Sequence, residues 1–344
     1  MKLSDFYYDL PEELIAQQPL ADRAGSRMLV VNKAAGTFSD DLFAGLPDRL
    51  LEGDVLVLNN TKVFPARLIG ISSTGASVEI FLLEKLSGDT WEALARPAKR
   101  LNPGKSISFG DKLSAEVLER SDGGKIVVKF SNCNGDFFDV LDEIGITPLP
   151  PYIKREQSAV DTDRDRYQTV FAATRGAIAA PTAGLHFTPA ILDTLRSKGV
   201  IITEITLHVG YGTFEPVRVN DISAHTVMPE RFEIGENSAD ILNRAAAEGR
   251  RIIAVGTTTT RALEAEIDTN GKFNPSNGLA KITITPGYRF RAVNGLLTNF
   301  HLPESSLLVL VSTFGGHGLI MDAYRHAVAG KYRFYSYGDC MFLA

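Results

Sequence analysis

The chain has 344 residues, of which 44% are hydrophobic and 22% charged, and its net charge is −5. The length exceeds one ordinary core and points to two domains; the composition is that of a soluble globular protein, and the negative balance excludes a global attraction to nucleic acid, so an RNA or DNA partner must be met by a local basic patch. With Cys133 and Cys340 as its only cysteines, the chain has too few for a disulfide framework or a cysteine-built zinc site, which fits a reducing cytosol. The N-terminus carries Asp5, Asp9, Glu12 and Glu13 where a signal peptide needs an apolar segment, and the longest aliphatic run, Leu307 to Val311, is far too short for a membrane span. A cytoplasmic protein without a membrane partner is the expectation.

In chain order, Leu3 to Pro19 reads as a short helix, Met28–Val31 as a strand, and Asp54–Leu58 as a strand buried on both faces, because its apolar run hardly alternates. That run ends in Asn59-Asn60-Thr61, three side chains able to bond backbone groups in a turn or to meet a ligand. From Ala66 to Phe130 six short β-rich runs (Ala66–Ile71, Ser77–Leu83, Thr90–Ala95, Ser106–Phe109, Leu113–Leu118 and Ile126–Phe130) are separated by Gly, Asn, Asp and Ser turns, the pattern of a small barrel or sandwich. Within it, Arg96-Pro97-Ala98-Lys99-Arg100 is the densest basic cluster, either a solvated turn or a phosphate-backbone contact.

Pro148-Leu149-Pro150-Pro151-Tyr152 is stiff and marks a boundary or a return crossing. Beyond it comes Ile178 to Thr188, a run of small residues with a Pro, a Gly and a His that hands over to a helix: Thr188 caps it, Pro189 takes its first position and Gly199 stops it. Strand Val200–His208, helix Ser238–Glu248, strand Arg251–Val255, a helix through Ala262–Ile267, strands near Lys281–Thr285 and Leu296–Asn299, helices from Ser305 and Met321, and a strand at Arg333–Tyr337 complete the chain. The expected architecture is a mixed α/β domain, residues 1–64 and 151–344, into which a small all-β barrel, residues 65–150, is inserted.

Gly104-Lys105-Ser106 resembles the end of a phosphate-binding P-loop, but Lys99 stands where the first glycine must be. The six histidines show no metal-ligand spacing, so no metal is expected. What remains are four polar turns at strand ends: the stretch holding His186, Leu207–Phe214 with His208, Gly256–Arg261, and Thr298–His301. Sites in α/β sheets gather at such ends. Each turn also has a structural explanation, with Arg261 pairing with Glu264 three residues on along one helix face and each histidine serving as a hydrogen-bonded group.

The residues then carry a resemblance. Asp5–Pro11, Leu58–Thr61 with Pro65–Arg67, Arg96–Arg100, Pro148–Ile153, Tyr167–Val170, Ala179–Thr188, Thr206–Phe214, Ala254–Arg261, Pro286–Arg291, Leu296–Pro303 and Phe334–Asp339 are similar, nearly end to end, to the S-adenosylmethionine:tRNA ribosyltransferase-isomerase family of queuosine synthesis. The resemblance implies transfer and isomerisation of the ribosyl part of S-adenosylmethionine onto 7-aminomethyl-7-deazaguanine (preQ1) at the tRNA wobble position, with release of adenine and methionine. S-adenosylmethionine is then a cosubstrate, with no prosthetic group or metal, because the sulfonium itself acidifies the neighbouring ribose carbon. His186 and His208 become the candidates for proton transfer. Asn59, Asn60, Thr61, Thr182, Gly184, Gly210, Gly212, Thr257, Thr258, Arg261, Tyr288, His301 and Tyr337 become candidates for holding the cosubstrate, and Arg96, Lys99, Arg100, Arg289 and Arg291 for tRNA. Phe290 is a further aromatic neighbour.

The sequence departs from the family pattern in two places. Met228 stands where a second histidine follows His225, with Glu230 retained, and His317-Gly318 replace an Arg-Glu pair after Gly316. A divergent member acting on another base, or holding nucleoside or RNA without turnover, is the alternative these departures leave open.

Overall fold

The structure, a computed structural model, describes residues 1–131, 135–155, 160–214 and 216–344, with the side chains of residues 100, 160–162, 213 and 214 left aside; Cys133 lies outside the described residues. The chain begins with two short 3-10 turns, Leu3–Phe6 and Glu12–Leu14, where the sequence suggests one helix. Pro11, between them, has no N–H to continue a helical ladder.

Strands β1 (Arg27–Asn32) and β2 (Thr37–Leu42), helix α1 (Leu46–Arg49), strand β3 (Val55–Asn59) and the short β4 (Thr61–Val63) follow. All five residues of β3 are buried, as its non-alternating apolar run requires. β2 has no counterpart in the sequence reading, because Thr-Phe-Ser-Asp-Asp-Leu is an exposed edge strand with little apolar alternation.

The six β-rich runs are the six strands of a closed antiparallel barrel: β5 (Arg67–Ser72), β6 (Ser77–Ser87), β7 (Thr90–Arg96), β8 (Ser106–Phe109), β9 (Leu113–Arg120) and β10 (Lys125–Ser131), in the order β10-β7-β6-β5-β8-β9. Alternate residues such as Trp91, Ala93 and Ala95 point inward. Gly70 is required by this tight interior, since a Cβ there would lie 2.7 Å from Ile107 and Phe109. Helix α2 (Phe137–Ile144) covers one end, with Phe137 stacked on Trp91 and Phe138 edge-on to Phe64. Where the chain enters and leaves the barrel, Arg67 and Ile146 exchange two backbone hydrogen bonds of 3.2 and 2.8 Å.

The remainder supplies α3 (Val160–Arg166), β11 (Thr174–Ala177, parallel to β4), α4 (Pro189–Ser197), β12 (Ile201–Leu207), β13 (Glu230–Ile234), α5 (Glu236–Ala247), β14 (Ile252–Val255), α6 (Thr257–Glu266), β15 (Ser276–Ala280), β16 (Gly295–Asn299), α7 (Ser306–Gly315), α8 (His317–Ala329) and β17 (Cys340–Leu343). The large sheet runs β15-β13-β12-β3-β14-β16-β17-β1-β2. Its centre, β12-β3-β14-β16, is parallel. Val55 and Val57 of β3 join the core formed with α5 to α8, while Leu56 and Leu58 join the core formed with α1 and α4, so two helical layers sandwich the sheet. Two predicted strands are displaced. The one expected near Lys281–Thr285 lies at Ser276–Ala280, and the terminal one lies at Cys340–Leu343 because Tyr335, at φ 72°, leaves extended geometry.

Candidate functional site

Parallel strands deliver their C-terminal ends, and the loops that follow them, to one edge of a sheet. Here those loops are Asn60–Thr61 after β3, His208–Tyr211 after β12, Gly256 after β14 and Phe300–His301 after β16. The small-residue stretch Ala179–Ala183 crosses beside them, and with Val209, Gly256 and Phe300–His301 it encloses a cleft of about 670 Å³, while Asn60 and Thr61 lie outside its lining. Its walls are Ala179 to Ala183, Val209, Gly256 to Thr258, Thr298 to Leu307, and the pair Tyr335 and Ser336, with Tyr152 and N-terminal Leu3 and Ile15 completing them.

Helix α6 opens on this cleft. Gly256, at φ 97°, makes the turn that a side chain would strain. Thr259 and Thr260 turn inward, and their hydroxyls donate to the carbonyls of Val255 (2.7 Å) and Gly256 (3.1 Å). Thr257 and Thr258 are left on the cleft wall, at the helix end where N–H groups lack intrahelical partners and the dipole favours an anion. Thr182 lines the same wall. His301 does too, but its ring is turned in against Thr298, with Nε2 2.9 Å from that hydroxyl, and burial pushes its pKa down to about 3.

His186 lies behind the wall. Asn299 donates from Nδ2 to the carbonyls of Tyr335 (2.9 Å) and Ser336 (3.3 Å), so its Oδ1 faces His186 and accepts from Nε2 at 2.9 Å. The other ring nitrogen, Nδ1, then accepts from the Ser26 hydroxyl at 2.9 Å. Both nitrogens are engaged, and burial lowers the pKa to about 4. A small crevice with Arg23, Arg166 and Tyr337 adjoins the ring. His208 is half-buried over Gly176, where an added Cβ would come within 2.5 Å of the imidazole, and its Nδ1 is 2.8 Å from the Thr61 hydroxyl; burial lowers its pKa as well.

The rest of the sequence-derived set divides between brace and surface. Asn59 donates to the Leu207 carbonyl and accepts from the N–H groups of Thr61 and Leu207, and Asn60 bonds Glu204 and Thr206. Gly184 is packed beneath Phe171 and Thr169, the Gly210 N–H donates to Glu230, and Gly212 lies against Met228. Tyr288 donates to Glu264 (2.9 Å) and Tyr337 to Asp163 (2.8 Å), both away from the cleft lining. Arg261 is buried and pairs with Glu230, not with Glu264 as helix spacing suggests. Glu264 is instead occupied by Tyr288 and by the N–H groups of Arg291, Ala292 and Val293. Arg96, Lys99 and Arg289 are exposed, and Arg291 directs its guanidinium onto the carbonyls of Ile267 and Asp268; the Arg100 side chain lies outside the described residues. At the two departures, exposed Met228 gives its carbonyl to Arg261, and His317 bonds the Asp5 carbonyl at 2.8 Å. Among the described residues no three His, Cys, Asp or Glu side chains gather as a metal site.

The sequence reading passed over Tyr152 and Tyr335. Their ring centroids are 4.0 Å apart, Tyr152 bonds the Ser336 hydroxyl at 2.6 Å, and both face the cleft. Tyr152 ends the proline-rich stretch, which reads as a linker, and Tyr335 takes a positive φ that no residue pattern announces.

Residues 3–343 match the family described as queuosine biosynthesis protein. The S-adenosylmethionine:tRNA ribosyltransferase-isomerase of Syntrophotalea carbinolica is 50% identical to this chain over 345 residues, covering 100% of each, and that of Caldanaerobacter subterraneus subsp. tengcongensis is 48% identical with the same coverage. A solved structure, S-adenosylmethionine tRNA ribosyltransferase from Thermotoga maritima, is 33% identical, with a TM-score of 0.56 over 99% of this chain and 100% of that one. With the match running from Leu3 to Leu343, through every segment that walls the cleft, the chain belongs to the queuosine biosynthesis protein family.

Proposed function

We propose that this protein transfers the ribosyl part of S-adenosylmethionine to the aminomethyl group of 7-aminomethyl-7-deazaguanine (preQ1) at the wobble position of tRNA and isomerises it to epoxyqueuosine, releasing adenine and methionine. The observation that carries this reading is the cleft: it holds an apolar, aromatic wall and a helix N-terminus in one space of about 670 Å³. A cosubstrate that is cationic at sulfur and anionic at its carboxylate needs both. The methionine carboxylate is assigned to the N-terminus of α6 at Thr257 and Thr258. The sulfonium is assigned to the Tyr152–Tyr335 pair, whose ring faces attract a cation.

His186 and His208 enter the scheme from beside the cleft, His186 through Asn299 and His208 through its neighbour Val209. A proton-accepting role for either needs a neutral imidazole, and burial favours that form. The other small and polar candidates, from Asn59 to Gly212, set the shape of the loops around the cosubstrate. Residues 65–150 are assigned as an inserted unit on the larger 1–64 and 151–344 body, with Arg96, Lys99 and Arg100 meeting the tRNA backbone and Arg289 and Arg291 as further contacts. The reaction takes place in the cytoplasm.

The test is direct: incubate the protein with S-adenosylmethionine and tRNA carrying the aminomethyl base, and follow adenine release and the mass of the wobble nucleotide. Both products are expected. Binding without either product overturns the reading in favour of a nucleoside- or RNA-binding protein, and S-adenosylhomocysteine in their place indicates methyl transfer.

A further inference from the structure

Among the described residues, Glu304 is the only formally charged side chain on the cleft wall, and its carboxylate has no ion pair or hydrogen bond with the rest of the protein. It is partly buried. The backbone at this residue is unusual as well. Pro303 takes the second position of the turn Leu302–Ser305, Glu304 has φ 57°, and the Ser305 N–H donates to the Leu302 carbonyl at 3.4 Å, which is the pattern of a type II turn. Glycine or asparagine normally fills the third position, because a longer side chain is strained there. Tyr335, at φ 72°, is the other non-glycine residue of this wall with a left-handed backbone. Such strain gathers at ligand sites, where the surrounding structure holds it. The dipole of α7 offers a plainer reason for an acid at Glu304, but an acid within the first turn of that helix would gain the same attraction with ordinary backbone.

We propose that Glu304 receives the α-ammonium of S-adenosylmethionine. This assignment rests on the function proposed above and deepens it: the methionine carboxylate and the sulfonium have receptors in that scheme, and the ammonium has none. An ammonium taken out of water against apolar walls needs a counter-charge that also accepts its hydrogen bonds. Ammonium and carboxylate share one carbon, so their receptors must be neighbours. The fold supplies this. Ser306, the first residue of α7, lines a crevice together with Thr258 of α6, so the two helix N-termini abut, and Glu304 stands two residues before Ser306. The ammonium donates to the Glu304 carboxylate while the methionine carboxylate accepts from the N–H groups that open α6. Neighbouring acceptors are already engaged. The Ser305 hydroxyl donates to the Leu302 carbonyl (2.8 Å) and accepts from the Leu308 N–H (3.3 Å), and His301 has Nε2 on Thr298.

The experiment measures equilibrium binding of S-adenosylmethionine, and of an analogue with hydrogen in place of the α-amino group, to wild type, Glu304→Gln and Glu304→Gly, with thermal melting alongside. Wild type is expected to prefer S-adenosylmethionine over the analogue about tenfold or more, the worth of a hydrogen bond between charged groups. Both variants are expected to lose that preference and bind the two ligands alike. Glu304→Gly, relieved of the left-handed side chain, is expected to melt no lower than wild type. A preference that survives in Glu304→Gln, or a loss of affinity equal for both ligands, overturns the assignment while leaving the proposed function standing. The converse result, loss of the preference in a protein whose wild type releases no adenine on tRNA carrying preQ1, upholds the ammonium contact and sinks the proposed reaction. Wild type that binds no S-adenosylmethionine overturns both.

Discussion

Arg261 reaches back to Glu230, 31 residues earlier in the chain, and not forward to Glu264 on its own helix. Both partners are buried, and the guanidinium also donates to the carbonyls of Ile282 (3.2 Å), Met228 (3.2 Å) and Ala280 (3.0 Å). The arginine thus ties α6 to β13 and to the end of β15 directly behind the cleft. Removing one member of a buried pair strands the other charge, at a cost of about 3–5 kcal/mol. Glu230→Gln is therefore expected to lower unfolding free energy by that amount in urea titrations. A loss under about 1 kcal/mol, the value of an exposed pair, contradicts this role.

Acid should weaken the fold through two histidines. Burial holds His186 at about 4 and His301 at about 3, below the ordinary 6.5. Below pH 6.5 the unfolded chain takes up protons that these rings refuse, so their contribution is complete above 6.5 and is lost as pH falls toward the folded values. Between pH 7 and pH 5 each ring is expected to remove about 2 kcal/mol. Replacing His186 with Gln should flatten the stability curve over that interval by one ring's share; an unchanged slope in chemical denaturation at the two pH values refutes the assignment.

The tyrosine pair gives a binding prediction. A cation held over aromatic faces gains about 0.5–2 kcal/mol, which is about 2- to 30-fold in affinity. Tyr152→Leu should weaken S-adenosylmethionine by that factor. Tyr152→Phe, which loses only the bond to Ser336, should bind close to wild type. Calorimetric titration that finds the two variants equal removes the cation role.

For tRNA the relevant readout is salt dependence. If Arg96 and Lys99 meet phosphates, the double alanine variant should reduce the slope of log affinity against log salt by roughly 1.5, with S-adenosylmethionine binding unaffected. An unchanged slope returns the turn to ordinary solvated surface.

The fold was far more legible than the site. The six barrel strands, the buried β3 and the capped α4 all announce themselves through local pattern: Gly-rich turns, an unbroken apolar run, and Thr188-Pro189 before an apolar stripe. β2 was hidden because an exposed edge strand needs no apolar face, and α2 because its Phe137-Phe138 start resembles a buried run as much as a helix. For the cleft, residue type drew attention to four strand-end loops, of which Gly256–Thr258 and Thr298–His301 line it most fully, but could not say which side chains enter it. Whether His186 faces a ligand or Asn299, and whether Arg261 finds Glu264 or Glu230, depends on partners far away in sequence. Tyr335 illustrates the limit, since only its backbone conformation aims the ring at Tyr152.

The cleft draws its walls from Leu3 and Ile15 at one end of the chain and from Tyr335 and Ser336 at the other, with Ile15 and Phe334 joined by a β-bridge between them. A chain that stops before Tyr335 lacks part of this wall, so bound cosubstrate links wall segments as far apart in sequence as Leu3 and Tyr335. Its stabilising effect is therefore expected to reach both termini together, raising protection from proteolysis at the N-terminal turns and at β17 in step with S-adenosylmethionine concentration.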